Sequence, residues 1–101
     1  MDVTAKNFDS MINNHDSVLV DFYAQWCGPC KLQGNILKAF EEKHPGKFTI
    51  CKLDVDDEPA IAQRYGITTV PTLIVFAKGE PMKRAQGVHT VDQLEMMLGQ
   101  S

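Results

Sequence analysis

With 101 residues, the chain is long enough for one domain that buries roughly two-thirds of its unfolded surface, so it folds without a covalent staple. Its 44% hydrophobic content is ordinary for a globular protein, and a formal charge of −3 with scattered Lys and Arg excludes a basic nucleic-acid footprint. No apolar run approaches a membrane span, and three cysteines, an odd count, do not suit a structural disulfide framework.

In chain order, Asp2 to Thr4 reads as a short extended start. Thr4 caps a helix to about Asn14, with Phe8, Met11 and Ile12 on one face. Val18 to Ala24 is apolar or aromatic except for Asp21, the pattern of a strand covered on both faces. Gln25 to Cys30 turns into a helix whose buried face is Leu32, Ile36, Leu37 and Phe40, and His44-Pro45-Gly46 ends it. Phe48 to Val55 is the next strand. Asp57-Glu58-Pro59 opens a helix, since Pro suits the first turn and acidic groups suit the positive helix end. Gly66 closes that helix after Tyr65. Thr72 to Ala77 is an apolar strand, and Lys78-Gly79-Glu80-Pro81 turns it into a last strand through about Val88. Thr90 and Gln93 form a capping box for a final helix, with Val91, Leu94, Met97 and Leu98 inward.

The predicted order is therefore β-α-β-α-β-α-β-β-α. Strands alternating with helices imply crossovers, a largely parallel central sheet and, from the hairpin at Gly79, an antiparallel edge. The expected fold is a three-layer α/β/α sandwich with a central mixed sheet, one domain over residues 1–101. The N-terminus, Met1 to Lys6, lacks the charged start and apolar stretch of a secretory signal. A reducing, cytoplasmic compartment is expected, where paired cysteines are catalytic or metal-binding rather than structural.

The chemistry sits at Trp26-Cys27-Gly28-Pro29-Cys30. Two cysteines separated by two residues close a small disulfide ring if they occupy the first turn of a helix. Cys27 falls at the helix start, where unpaired backbone N–H groups and the positive dipole end favour thiolate. Pro29 fits a turn in which its missing N–H has no partner. Gly28 keeps the approach open to a protein disulfide. Cys30, one turn in, is expected to be more buried and less ionised, so Cys27 attacks and Cys30 resolves. The competing reading is zinc, which takes about four ligands. Only Cys51 and three dispersed histidines remain, without paired spacing.

Asp21 is the second candidate. A carboxylate within an apolar strand is rarely buried without a partner or a task. Desolvation would raise its pKa and let it exchange a proton near neutrality. It would take the Cys30 proton through a water. The alternative is a strand-end aspartate that reaches solvent.

These residues carry a resemblance. Val20 to Lys31, reading Val-Asp-Phe-Tyr-Ala-Gln-Trp-Cys-Gly-Pro-Cys-Lys, closely resembles the active-site segment of the thioredoxin family. The likeness extends over essentially the whole chain, through Lys52-Leu53-Asp54-Val55-Asp56, Tyr65-Gly66-Ile67, Val70-Pro71-Thr72-Leu73 and Gly87. Glutaredoxins usually carry Cys-Pro-Tyr-Cys and disulfide isomerases Cys-Gly-His-Cys. The resemblance implies a general protein-disulfide reductase without a cofactor of its own. It would act on disulfide-containing proteins as a monomer, recharged by a thioredoxin reductase that carries flavin and draws on NADPH. It also implies a redox-active disulfide between Cys27 and Cys30, the Lys52 ammonium near Asp21, and a cis Val70–Pro71 bond facing the dithiol. Backbone groups of Val70 would pair with a substrate strand. Trp26 and Gly87 would flank the same groove, Gly87 allowing close backbone approach. The plainer readings are core packing for Trp26, an edge bulge for Gly87 and a surface lysine for Lys52.

The chain departs from the family in three places. Thioredoxins commonly have Pro in the middle of the active-site helix, where this chain reads Gln33-Gly34-Asn35-Ile36. Tyr23 stands where many members have Trp, and Gln25 where several have Glu. Cys51 reads as a buried hydrophobe. His15, His44 and His89 read as turn residues without a carboxylate partner. Asp54, Asp56 and Asp57 read as a solvated loop and helix start, since they lack the Gly and terminal Glu of an EF-hand. Two other activities fit the same residues: a redox-dependent binding module, and an oxidant or isomerase of different potential.

Overall fold

The structure, a computed structural model, describes residues 2–99. Met1, Gln100 and Ser101, the ends of the domain expected over 1–101, lie outside the described residues. The order is α1 (Phe8–Asn13), β1 (Ser17–Tyr23), α2 (Gly28–Lys43), β2 (Thr49–Asp54), α3 (Pro59–Arg64), β3 (Thr72–Ala77), β4 (Glu80–Gln86) and α4 (Val91–Met97). The strands form one four-stranded sheet in the order β2-β1-β3-β4.

The sheet is mixed, but less parallel than expected. Only β1–β2 is parallel; β1–β3 and β3–β4 are antiparallel. A parallel pair needs a crossover, but a helical connection does not impose one. The 16-residue α2 returns the chain to the start of the sheet, so β2 runs with β1. The 6-residue α3 rises only roughly 9 Å, against roughly 20 Å for a strand of that length. Hence β3 begins at the end where β2 finishes and runs back.

Two further expectations change at the N-terminus. The extended start is a single parallel bridge of Asp2 to Lys52, with the Val3 N–H donating to the Lys52 carbonyl at 2.8 Å. The first helix begins at Phe8, not after Thr4. The Thr4 N–H donates to the Asn7 side chain at 2.8 Å, and the Thr4 hydroxyl accepts from the Lys6 N–H at 3.3 Å. Such local side-chain bonds hold a turn where a helix would otherwise start.

Both sheet faces are covered, which explains the unbroken burial from Val18 to Phe22. Val18, Val20 and Phe22 pack with Phe8 and Ile12 of α1, Ile61 of α3, and Cys51, Ile74 and Phe76. Leu19 faces the other way, onto Leu37 and Phe40 of α2 and Leu94 of α4. The layers are therefore α1/α3, sheet, α2/α4. Thr90 and Gln93 close the capping box on α4, and Val91, Met97 and Leu98 pack inward beside Leu94. In α2 the buried stripe is Cys30, Gln33, Leu37 and Phe40. Leu32, expected inside, is 54% exposed. The stripe that starts at Cys30 recurs three and seven residues on, which selects Gln33 and leaves Leu32 outside. The helix runs unbroken through Gly34 and Asn35.

Candidate active site

β1 ends at Tyr23, and the chain turns through Ala24 to Trp26 before α2 opens. Cys27 is the N-cap of α2: its Sγ accepts the Cys30 N–H at 3.2 Å. The sulfur thus occupies the place that an Asp or Ser oxygen takes in an ordinary cap, at the positive end of the helix dipole. Pro29 lies in the first turn. Cys27 and Cys30 are joined as a disulfide. A Cβ added at Gly28 would meet nothing within 4 Å, so Gly28 faces open space.

The expected difference in burial between the two cysteines is absent: Cys27 is 4% and Cys30 3% exposed. The disulfide ring holds both against the same small cluster of Ala24, Tyr23, Val55 and Val70. Their inequality is electronic instead. Cys27 Sγ receives the backbone N–H and lies 3.7 Å from the Val70 carbonyl oxygen.

The Val70–Pro71 peptide bond is cis, as the resemblance implied. Gly87 has φ +84°, a conformation that favours glycine, and its N–H donates to the Pro71 carbonyl at 2.8 Å. Trp26 is 73% exposed, so it is not core. Its indole N–H donates to Asp56 at 2.8 Å, and it borders a cavity of about 220 Å³ with Val55, Ile67, Thr68, Thr69 and Val70.

Asp21 and Lys52 sit directly opposite each other on the parallel pair β1–β2. Asp21 is fully buried, on the α2/α4 side by alternation with Val20 and Phe22. Neither of its carboxylate oxygens has a hydrogen-bond partner among the described residues. Burial pushes its pKa up from 3.8 to about 7, against the opposing pull of the Lys52 cation. The Lys52 Nζ lies 4.4 Å from the centre of the Tyr23 ring, a cation–π contact. Cys30 and Lys52 line a cavity of about 470 Å³ together with Lys31, Gly34, Leu37 and Ile50. They share a second, of about 240 Å³, with Tyr23, Ala24, Gln25 and Lys31. Asp21 lines neither cavity.

Three side-chain pairings lie beyond the reach of the sequence reading. Asp54, expected in solvent, is 7% exposed. It accepts the N–H groups of Asp56 at 2.9 Å and Asp57 at 3.3 Å, an Asx turn that carries Asp56 to Trp26. The closely spaced aspartates after a strand were the available signal. Gln33 is fully buried and bonds to the backbone of His89. Only the helical period from Cys30 pointed to it. His44, read as unpartnered, places Nε2 2.7 Å from Glu95, a residue too distant in sequence to be read as its mate. His15 and His89 face backbone carbonyls. Cys51 is buried on the opposite sheet face, and burial raises its thiol pKa. Among the described residues no three His, Cys, Asp or Glu groups could hold a metal ion, and no helix is long and apolar enough to cross a membrane.

Comparison with known proteins agrees with this geometry. Residues 1–100 match the family model described as Thioredoxin. A thioredoxin of Alicyclobacillus acidocaldarius is 43% identical over 98 residues, covering 97% of this chain and 93% of that protein. One from Chlamydia caviae is 40% identical over 98 residues, covering 97% and 94%. Among solved structures, a mutant thioredoxin from Halobacterium salinarum superposes with a TM-score of 0.87 at 35% identity, covering 96% of this chain and 85% of that one. A capping sulfur that closes a Cys-X-X-Cys disulfide, on a fold matched across nearly its whole length, leaves one conclusion: the chain belongs to the thioredoxin family and is a thiol–disulfide oxidoreductase that reduces protein disulfides.

Proposed function

We propose that this chain acts as one thioredoxin domain, a monomeric cytoplasmic electron donor, through the following sequence. The Cys27 thiolate attacks one sulfur of a protein disulfide. A Cys27–substrate mixed disulfide forms, and the other substrate sulfur leaves as thiolate. Cys30 then attacks Cys27 Sγ. The mixed bond breaks, the second substrate thiol is released, and the Cys27–Cys30 disulfide closes. Two electrons have passed to the substrate. Asp21 accepts the Cys30 proton, through a water, as Cys30 attacks. Lys52 holds positive charge beside it. Val70 offers backbone groups to an extended substrate strand, in a groove bounded by Trp26, Pro71 and Gly87. Gly28 and Pro29 keep the dithiol loop open and helical. A thioredoxin reductase, with flavin and NADPH, restores the dithiol.

The observation that carries this reading is the N-cap sulfur of Cys27, bonded by the Cys30 N–H and facing the Val70 carbonyl. Insulin reduction with dithiothreitol tests the activity, and replacing dithiothreitol by NADPH and a bacterial thioredoxin reductase tests the partner. Strong acceleration is expected in both. No acceleration over dithiothreitol alone would overturn the reductase reading. Acceleration with dithiothreitol but no recycling by the reductase would overturn only the partner.

A further inference from the structure

Gln33 has no part in the exchange just described, yet it is one of four buried polar or charged side chains among the described residues. A buried amide needs its hydrogen bonds met, and both of its ends are met by one peptide segment. Its Nε2 donates to the His89 carbonyl at 3.1 Å, and its Oε1 accepts the His89 N–H at 2.7 Å. This two-point clamp joins the second turn of α2 to the segment between β4 and α4. The chain of bonds continues. His89 Nδ1 lies 2.9 Å from the Gly87 carbonyl, so a proton on Nδ1 donates to it. The Gly87 N–H donates to the Pro71 carbonyl at 2.8 Å. Pro71 adjoins Val70, whose carbonyl faces Cys27 Sγ at 3.7 Å.

The helix that carries the dithiol at its N-terminus therefore also grips the segment that reaches Pro71 from behind. We infer that Gln33 is a positioning residue that sets the 87–89 segment, through its clamp on His89, at the depth a protein substrate's backbone requires. The inference rests on the reading of Val70 and Gly87 as groove walls. Gln33 does not touch the sulfurs, so its effect falls on substrate docking and spares the reactivity of Cys27. The two halves of the clamp are not equivalent to packing. A leucine of similar size would fill the space but leave the His89 N–H and carbonyl without partners.

The test is single-turnover reduction by pre-reduced protein of two oxidants, insulin and a small aromatic disulfide that needs no groove. For Gln33→Leu, the half-saturation constant for insulin should rise about fivefold, the loss of roughly one ordinary hydrogen bond's worth of binding. Its limiting rate and the rate with the small disulfide should stay within about twofold of wild type. Gln33→Met, an unbranched apolar side chain that likewise leaves both His89 groups without partners, should match Gln33→Leu, and it reads the same effect if the leucine variant does not fold. Gly87→Val, placed in the groove itself, should raise the insulin constant at least as much. Loss of thermal stability in the Gln33 variants with an unchanged insulin constant would overturn the inference, as would a parallel fall with both oxidants. If Gly87→Val leaves the insulin constant unchanged, the groove reading itself fails. If Gly87→Val raises it and neither Gln33 variant does, the groove stands and only the clamp fails.

Discussion

Two residue pairs lie side by side in the parallel ladder, Val20 opposite Cys51 and Asp21 opposite Lys52. The first pair points to the α1/α3 layer and ends in a closed aromatic core around Phe8, Phe22 and Phe76. The second points to the α2 layer, where cavities lined by Lys52 reach Cys30. Cys51 and Asp21 are equally buried, and burial raises the pKa of both. What separates them is one residue of strand register, which turns a side chain through the sheet. Burial alone therefore does not mark a working group. What Asp21 has and Cys51 lacks is a ladder partner, Lys52, that shares two cavities with Cys30.

The largest test of this contrast is at the sulfurs. Cys27→Ser should abolish insulin reduction. Cys30→Ser should still attack and then accumulate as a mixed disulfide, visible as a mass adduct, because no resolving thiol remains. Normal turnover by Cys30→Ser would reverse the assigned roles.

Asp21→Ala comes next. The folded pKa of about 7 exceeds the unfolded 3.8, so between them the folded state binds more protons than the unfolded one. Stability is then full below the lower value, falls as pH rises through the window, and levels off above about 7. The loss is roughly 4 kcal/mol at most. Removing the carboxyl removes it, less a small cavity cost. Oxidised Asp21→Ala should therefore be more stable than wild type at pH 8, with the advantage shrinking toward pH 4, by denaturant unfolding. The variant should also resolve mixed disulfides more slowly. Lower stability at every pH with an unchanged rate would make Asp21 a structural residue.

The opposite face should respond differently. Cys51→Ala should lose about 1–2 kcal/mol from the small cavity while insulin reduction stays near wild type. A folded Cys51→Ala variant without activity would break the contrast. The smallest effect is expected at Lys52. Its cation lowers the pKa of Asp21, so Lys52→Met should move the Asp21 titration, followed by carbon-13 NMR of the carboxyl, upward. A downward move would show that the lysine does not face the carboxylate.

Much of the site was legible before folding because its signals are local. The strand-to-helix step at Trp26-Cys27, Pro29 in the first helical turn and the capping box at Thr90 each rest on bonds within a few residues. Asp21 stood out because a charge inside an apolar strand conflicts with burial. Hydrophobicity alone puts Leu32 inside, but the helical phase set by Cys30, Gln33 and Leu37 turns it to solvent. The acidity of Asp54 suggests solvent, whereas its carboxylate accepts backbone N–H groups two and three residues on.

Local sequence was enough for the four strands, the three helices after β1, the dithiol and the electronic part of the inequality of its sulfurs, since helix position and dipole are properties of neighbours along the chain. Long-range packing set strand direction, the facing of Asp21 and Lys52, the hold of Asp56 on Trp26, the His44–Glu95 pair and the grip of Gln33 on His89. Those contacts join residues 30 to 56 positions apart. No local periodicity encodes such a distance. It is set by how a short α3 and a long α2 bring the chain back across one sheet.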